Sequence, residues 1–136
     1  MKKCFRKYHK VRPYFPFQGN HTFSSQDTIY ALSTPPGKGG IAVVRVSGPN
    51  AQDVTKLAST KISKLTPKML KYTTFINPFE ERKLLDKGYM VYFAKNGSFT
   101  GEETVELHIH GGKAVQQSFL NCLSRFETLR AAGPGE

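Results

Sequence analysis

The chain has 136 residues, enough for one domain with a sizeable core but too few for two ordinary ones. Its formal charge of +10 is unevenly spread: residues 1–26 hold six basic residues and no acid, which leaves 14 of the 20 Lys and Arg against 10 Asp and Glu in residues 27–136. A basic tail on a mildly basic body is poor support for a nucleic-acid-binding fold, while Cys4 and Cys122 are too few for a disulfide framework or a cysteine zinc site.

Residues 1–26, MKKCFRKYHKVRPYFPFQGNHTFSSQ, show neither helical nor strand periodicity. The stretch is basic, aromatic and acid-free and lacks the apolar core of a secretory signal, so it reads as a mitochondrial transit peptide or a basic tail. Pro13 and Pro16 argue against one long helix there. No run anywhere approaches the roughly 18 apolar residues of a membrane span, so a membrane partner is not expected.

The second unit, residues 27–136, opens with a short strand over Thr28–Ser33. Thr34–Gly40, TPPGKGG, follows as a loop whose prolines fix its entry and whose glycines free its exit. Ile41–Ser47, IAVVRVS, has the composition of a central strand, with Arg45 on the face of Ile41 and Val43. An arginine there must find an acceptor or reach the edge of a site. Ser47-Gly48-Pro49-Asn50 enters a helix that places Ala51, Val54, Leu57 and Ala58 on one side. Residues 59–69 are polar and irregular, and strands are expected over Leu70–Ile76 and within Leu84–Ala94.

Ser98-Phe99-Thr100-Gly101 is a turn, after which the pattern alternates strictly. Val105, Leu107 and Ile109 point one way and Glu106, His108 and His110 the other, since strand side chains repeat every second residue. The strand stops at Gly111-Gly112 and passes into a helix over Lys113–Phe126, with Val115, Phe119, Cys122, Leu123 and Phe126 as its apolar stripe. Leu129-Arg130 begins a further strand, and the chain ends within turn chemistry, as a truncated domain would. The order predicts an α+β domain, a mixed sheet with helices on one face.

Several chemistries fail on these residues. PPGKGG lacks the G-x-x-x-x-G-K-[ST] pattern, since Gly39-Gly40 and no hydroxyl follow Lys38. Glu106, His108 and His110 share a strand face, but no further Cys or His of the body offers itself from another element to complete a metal site. Ser33, Ser47 and Ser98 lack a flanking nucleophile motif. Glu106 is chemically more specific: a carboxylate fork matches a flat heterocycle carrying N–H and NH₂ side by side, and Arg45 presents the complementary donor fork. The residues alone leave two readings open, a ligand site or a Glu106–Arg45 ion pair of purely structural role.

TIYALSTPPGKGGIAVVRVSG (28–48), GSFTGEETVELHIHGG (97–112) and RAAGPGE (130–136) together closely resemble the N-terminal domain of the MnmE/TrmE family of tRNA-modification GTPases, over about residues 27–136. The resemblance implies a tetrahydrofolate-binding, aminomethyltransferase-like fold that forms a homodimer. It implies a one-carbon folate of the 5-formyl or methylene type, with Arg45 and Glu106 at the positions of the family's folate contacts. Pro36, Gly37, Gly39, Gly40, Gly111 and Gly112 are then expected to shape the pocket or the dimer contact. GTP, Mg²⁺ and K⁺ belong to the family's GTPase domain, which these residues do not contain. The partners implied are an FAD-dependent protein of the MnmG/GidA type and tRNA, whose wobble uridine the complex modifies, with mitochondria as the expected location. The alternatives are a dimerisation module without folate and a small basic RNA-binding protein.

Overall fold

The computed structural model describes residues 27–98 and 100–136, so the expected leader, residues 1–26, lies outside the described residues. Six strands form one sheet: β1 (Thr28–Leu32), β2 (Ile41–Ser47), β3 (Lys71–Asn77), β4 (Lys83–Phe93), β5 (Thr104–His110) and β6 (Leu129–Ala131). Their spatial order is β3-β4-β5-β2-β1-β6. Neighbours run antiparallel except β1 and β6, which are parallel, so the sheet is mixed. The expected α+β architecture is the one observed. The β-branched run Ile41–Ser47 lies inside the sheet, paired with β1 on one side and β5 on the other.

One face of the sheet carries the core. Ala42, Val44 and Val46 of β2 and Val105, Leu107 and Ile109 of β5 are buried there, as their alternation requires. Helix α1 (Lys113–Leu123) covers them with Phe119, Cys122 and Leu123, and Phe75 meets Phe119 edge to face at a ring separation of 5.2 Å. Residues 51–57 add Ala51, Val54 and Leu57 to the same cluster.

Three local details differ from the sequence expectations. Ala51–Leu57 winds as a 3-10 helix rather than an α-helix. Asn50 supplies no side-chain cap, and the chain is drawn out at once into a bridge between Ala58 and Phe75, which favours short, tight winding. Helix α1 ends at Leu123, three residues early, with Phe126 still buried beyond it. Strand β4 begins at Lys83 and spans 11 residues, because pairing with β3 carries its charged start into the ladder.

The end of β2 requires glycine. Gly48 has φ +132°, and a Cβ there would lie 2.5 Å from the Asp27 carbonyl oxygen.

Candidate functional site

The uncovered face of the sheet carries the polar residues. Register sets Arg45 opposite Glu106, with Val91 on the far side of Glu106 and Ala31 beyond Arg45. Arg45 Nε and Nη2 both donate to Glu106 Oε1, at 3.1 and 2.9 Å. His108, two residues along the strand and therefore on the same face, places Nε2 3.1 Å from Glu106 Oε2. The Glu106 side chain is 16% exposed and those of Arg45 and His108 about a third. The structure thus joins the two residues singled out in the sequence and adds His108 as a neighbour of the carboxylate.

Three donor atoms occupy a group that offers about four acceptor positions, so Oε2 retains capacity for another donor. The cluster is therefore a half-buried carboxylate, fixed by a guanidinium and an imidazole, that can accept a hydrogen bond from a flat polar ligand lying on the sheet.

His110 is held separately. Its side chain is 72% exposed, and Asp86 accepts from its backbone N–H at 2.8 Å while placing Oδ1 2.8 Å from Nδ1. Burial works to raise the Asp86 pKa, but hydrogen bonds from the His110 amide, its imidazole and the Lys87 amide outweigh burial and hold it below the usual carboxylate range.

The turn before β5 is anchored by hydroxyls. Ser47 Oγ and Thr100 Oγ1 are 2.7 Å apart, Thr100 Oγ1 is 3.1 Å from Thr104 Oγ1, and Ser98 Oγ donates to the Glu102 carbonyl. Tyr92 donates to Glu103 Oε1 at 3.0 Å; burial, then the Glu103 carboxylate, push its phenol pKa up. These bonds hold the start of β5, and with it the register that brings Glu106 opposite Arg45.

The TPPGKGG loop connects antiparallel β1 and β2, and its glycines meet the end of β5. Gly39 N–H donates to Gly111 O and Gly111 N–H to Gly40 O, both at 3.2 Å. A Cβ on Gly111 would lie 2.2 Å from the Gly39 carbonyl oxygen, so only glycine permits this approach. Gln116 locks the junction from below, donating from Nε2 to Gly37 O at 3.1 Å and to Gly111 O at 2.9 Å. Gly112 precedes the first residue of α1, and Pro36 is exposed on the loop. Gly37, Gly39, Gly40 and Gly111 are thus drawn together, while Pro36 and Gly112 flank them.

Gln116 was not expected from the sequence. Its signal was a polar residue three positions before Phe119, on the buried side of an otherwise apolar stripe. Asp86 gave no local signal at all, because its partner is 24 residues away. The terminal RAAGPGE folds back on itself: Arg130 pairs with Asp27 at 2.9 Å and with Glu136 at 2.6 Å, and the Glu136 bonds, ahead of Asp27, raise the Arg130 pKa.

A single mixed sheet, covered by helices on one side and carrying a fixed carboxylate–guanidinium pair on the other, defines an α+β domain with an open polar face. Residues 28–136 match the family described as GTP-binding protein TrmE N-terminus, and the chain belongs to that family. Among its relatives is a tRNA modification GTPase MnmE from Parvibaculum lavamentivorans, 46% identical over 110 residues, covering 81% of this chain and 25% of that protein. The mitochondrial tRNA modification GTPase mss1 of Schizosaccharomyces pombe is 45% identical over 111 residues, covering 80% and 22%. A tRNA modification GTPase MnmE from Histophilus somni (strain 129Pt) is 42% identical over 112 residues, covering 82% and 24%. The chain spans about a quarter of the length of these curated relatives.

Proposed function

We propose that this chain is the folate-binding, dimerising N-terminal part of a GTPase that modifies the wobble uridine of tRNA. Family membership supports the class, and one observation supports the ligand: Glu106 stands on the open face with both oxygens fixed and acceptor capacity left on Oε2. The donor set suits a pterin. Glu106 accepts from its N–H and NH₂ edge, Arg45 orients the carboxylate and donates toward the ligand, and the glycine junction at Gly39, Gly40 and Gly111 bounds the face at one end. A bound tetrahydrofolate supplies the one-carbon unit; the protein binds and orients it.

In this reading a second copy of the chain completes the site, and GTP hydrolysis, Mg²⁺ and K⁺ belong to a GTPase domain beyond these residues. An FAD-dependent partner and tRNA join the full assembly, and a mitochondrial location agrees with the basic residues 1–26 and with the mitochondrial relative.

The test is calorimetric titration of the full chain with 5-formyltetrahydrofolate. Glu106→Gln replaces one acceptor oxygen by a donor NH₂ that faces the ligand's own donors. Affinity is expected to fall tenfold or more, about 1.4 kcal/mol, with the fold intact by circular dichroism. Equal affinity for Glu106→Gln and the parent chain rejects the folate assignment.

A further inference from the structure

The charge average of the folded part conceals its distribution. Residues 59–71 hold Lys61, Lys64, Lys68 and Lys71 and no acid, while the rest of residues 27–136 holds ten basic and ten acidic groups. The four lysines therefore carry the whole surplus of that part. All four are exposed, and among the described residues none lies within 4.0 Å of a carboxylate oxygen.

They also stand on a fixed track. Ser59 N–H donates to Thr74 O at 2.9 Å and Lys68 N–H to Tyr92 O at 2.8 Å, while Ile62 and Leu65 turn into the core. Thr74 lies opposite Lys87, and Tyr92 is five residues farther along β4, so the attachment points are roughly 17 Å apart along the sheet. Arg82 adds a cation at one end by donating to Ser59 O, and the Lys68 side chain passes beside Gly97 at the other. Lys71 lies opposite the buried Met90 and so borders the covered face, while on the open face at the same edge Tyr72 and Tyr89 are 60% and 44% exposed, packed edge to face with ring centroids 5.3 Å apart. Strand register fixes this pair on the open face.

We propose that residues 59–71, with Tyr72 and Tyr89, form an RNA-binding surface that wraps around the β3 edge of the sheet: the lysines contact phosphates along the margin and a tyrosine on the open side stacks on an unpaired base. The choice of RNA rests on the reading of this chain as part of a tRNA-modifying protein. Exposed Met69 and Leu70 give an anionic lipid surface some of the same attraction. RNA is favoured because the cations follow a sheet margin and the aromatic rings sit on paired strands, whereas interfacial lipid binding uses a continuous apolar helix face.

The experiment titrates the full chain against an unmodified tRNA transcript by fluorescence anisotropy over a range of salt. The variant K61Q/K64Q/K68Q/K71Q is expected to lower the log–log salt slope by about 3 to 4, at roughly 0.7 to 0.9 per phosphate contact. The corresponding Lys→Arg variant keeps the parent slope, which separates charge from a folding defect. Y72A/Y89A loses at least fivefold in affinity, about 1 kcal/mol, with the slope unchanged. An unchanged slope in the Gln variant overturns the proposal, as does lysine-dependent binding to phosphatidylserine vesicles alongside tRNA affinity that ignores the lysines. Folate titration of the Gln variant is expected to match the parent chain, so failure here leaves the folate reading standing, and failure of Glu106→Gln leaves this one.

Discussion

At the scale of the residue, a close constraint at the candidate site is at Gly111. A methyl group there meets the Gly39 carbonyl at 2.2 Å, whereas one on Gly112 meets nothing within 4 Å. Gly111→Ala is accordingly expected to destabilise the domain by about 1–3 kcal/mol, and Gly112→Ala, whose φ of −68° suits any residue, to stay within about 0.5 kcal/mol of the parent chain in urea unfolding. Asp86 sets a pH dependence. Its pKa is lower in the folded chain than in the unfolded one, so its contribution is complete above the ordinary carboxylate value of about 3.9 and is lost as pH falls through the folded value. Stability measured from pH 6 down to pH 2.5 should therefore fall more steeply for the parent chain than for Asp86→Asn, by on the order of 1 kcal/mol. Parallel curves would remove Asp86 from the acid limb.

At the scale of the element, α1 is held by three buried side chains and one polar clamp. Phe119, wholly buried against Phe75, should cost about 3–5 kcal/mol when cut to alanine. Cys122 is 1% exposed, and burial pushes its thiol pKa up to about 12, so little thiolate is present at neutral pH. In a Cys4→Ser background, labelling of Cys122 by a soluble disulfide reagent at pH 8 should be slow in buffer and rapid in denaturing urea; rapid labelling in buffer would show that α1 opens locally. Gln116 joins the helix to the loop before β2, and Gln116→Ala removes the donor of two bonds. Faster amide exchange around Gly37–Gly40 is the expected mark of its loss, since those carbonyls and amides are what the clamp organises.

At the scale of the whole molecule, the two faces of the sheet divide the labour. One is sealed by α1 and the 3-10 helix and accounts for stability; the other is open, with Arg45, Glu106 and His108 at its centre and tyrosines toward β3. In the proposed dimer a second copy bounds that open face, so light scattering on the full chain should give twice the monomer mass. A monomer at every accessible concentration would remove the dimer from the proposal. Folate binding to such a monomer would further show that one copy suffices.

Much of this was legible in the chain. The alternation in Val105–His110 assigned each residue of β5 its face, and the apolar stripe of α1 named Phe119, Cys122 and Leu123. Both are periodic signals, written in local order by the geometry of strand and helix. The sequence also marked Arg45 and Glu106 as chemically odd, each a charged group in an otherwise apolar or alternating run. It could not show that they touch. That depends on β2 pairing with β5 across 61 residues and in one register, since a slip by one residue would send Glu106 to the other face. The Asp86–His110 pair, the seat of Gly111 against Gly39 and the attachment of the lysine-rich segment to Thr74 and Tyr92 are long-range facts of the same kind. Local periodicity determined which side chains face the core; only the tertiary pairing of distant strands decided which polar groups meet on the face left open.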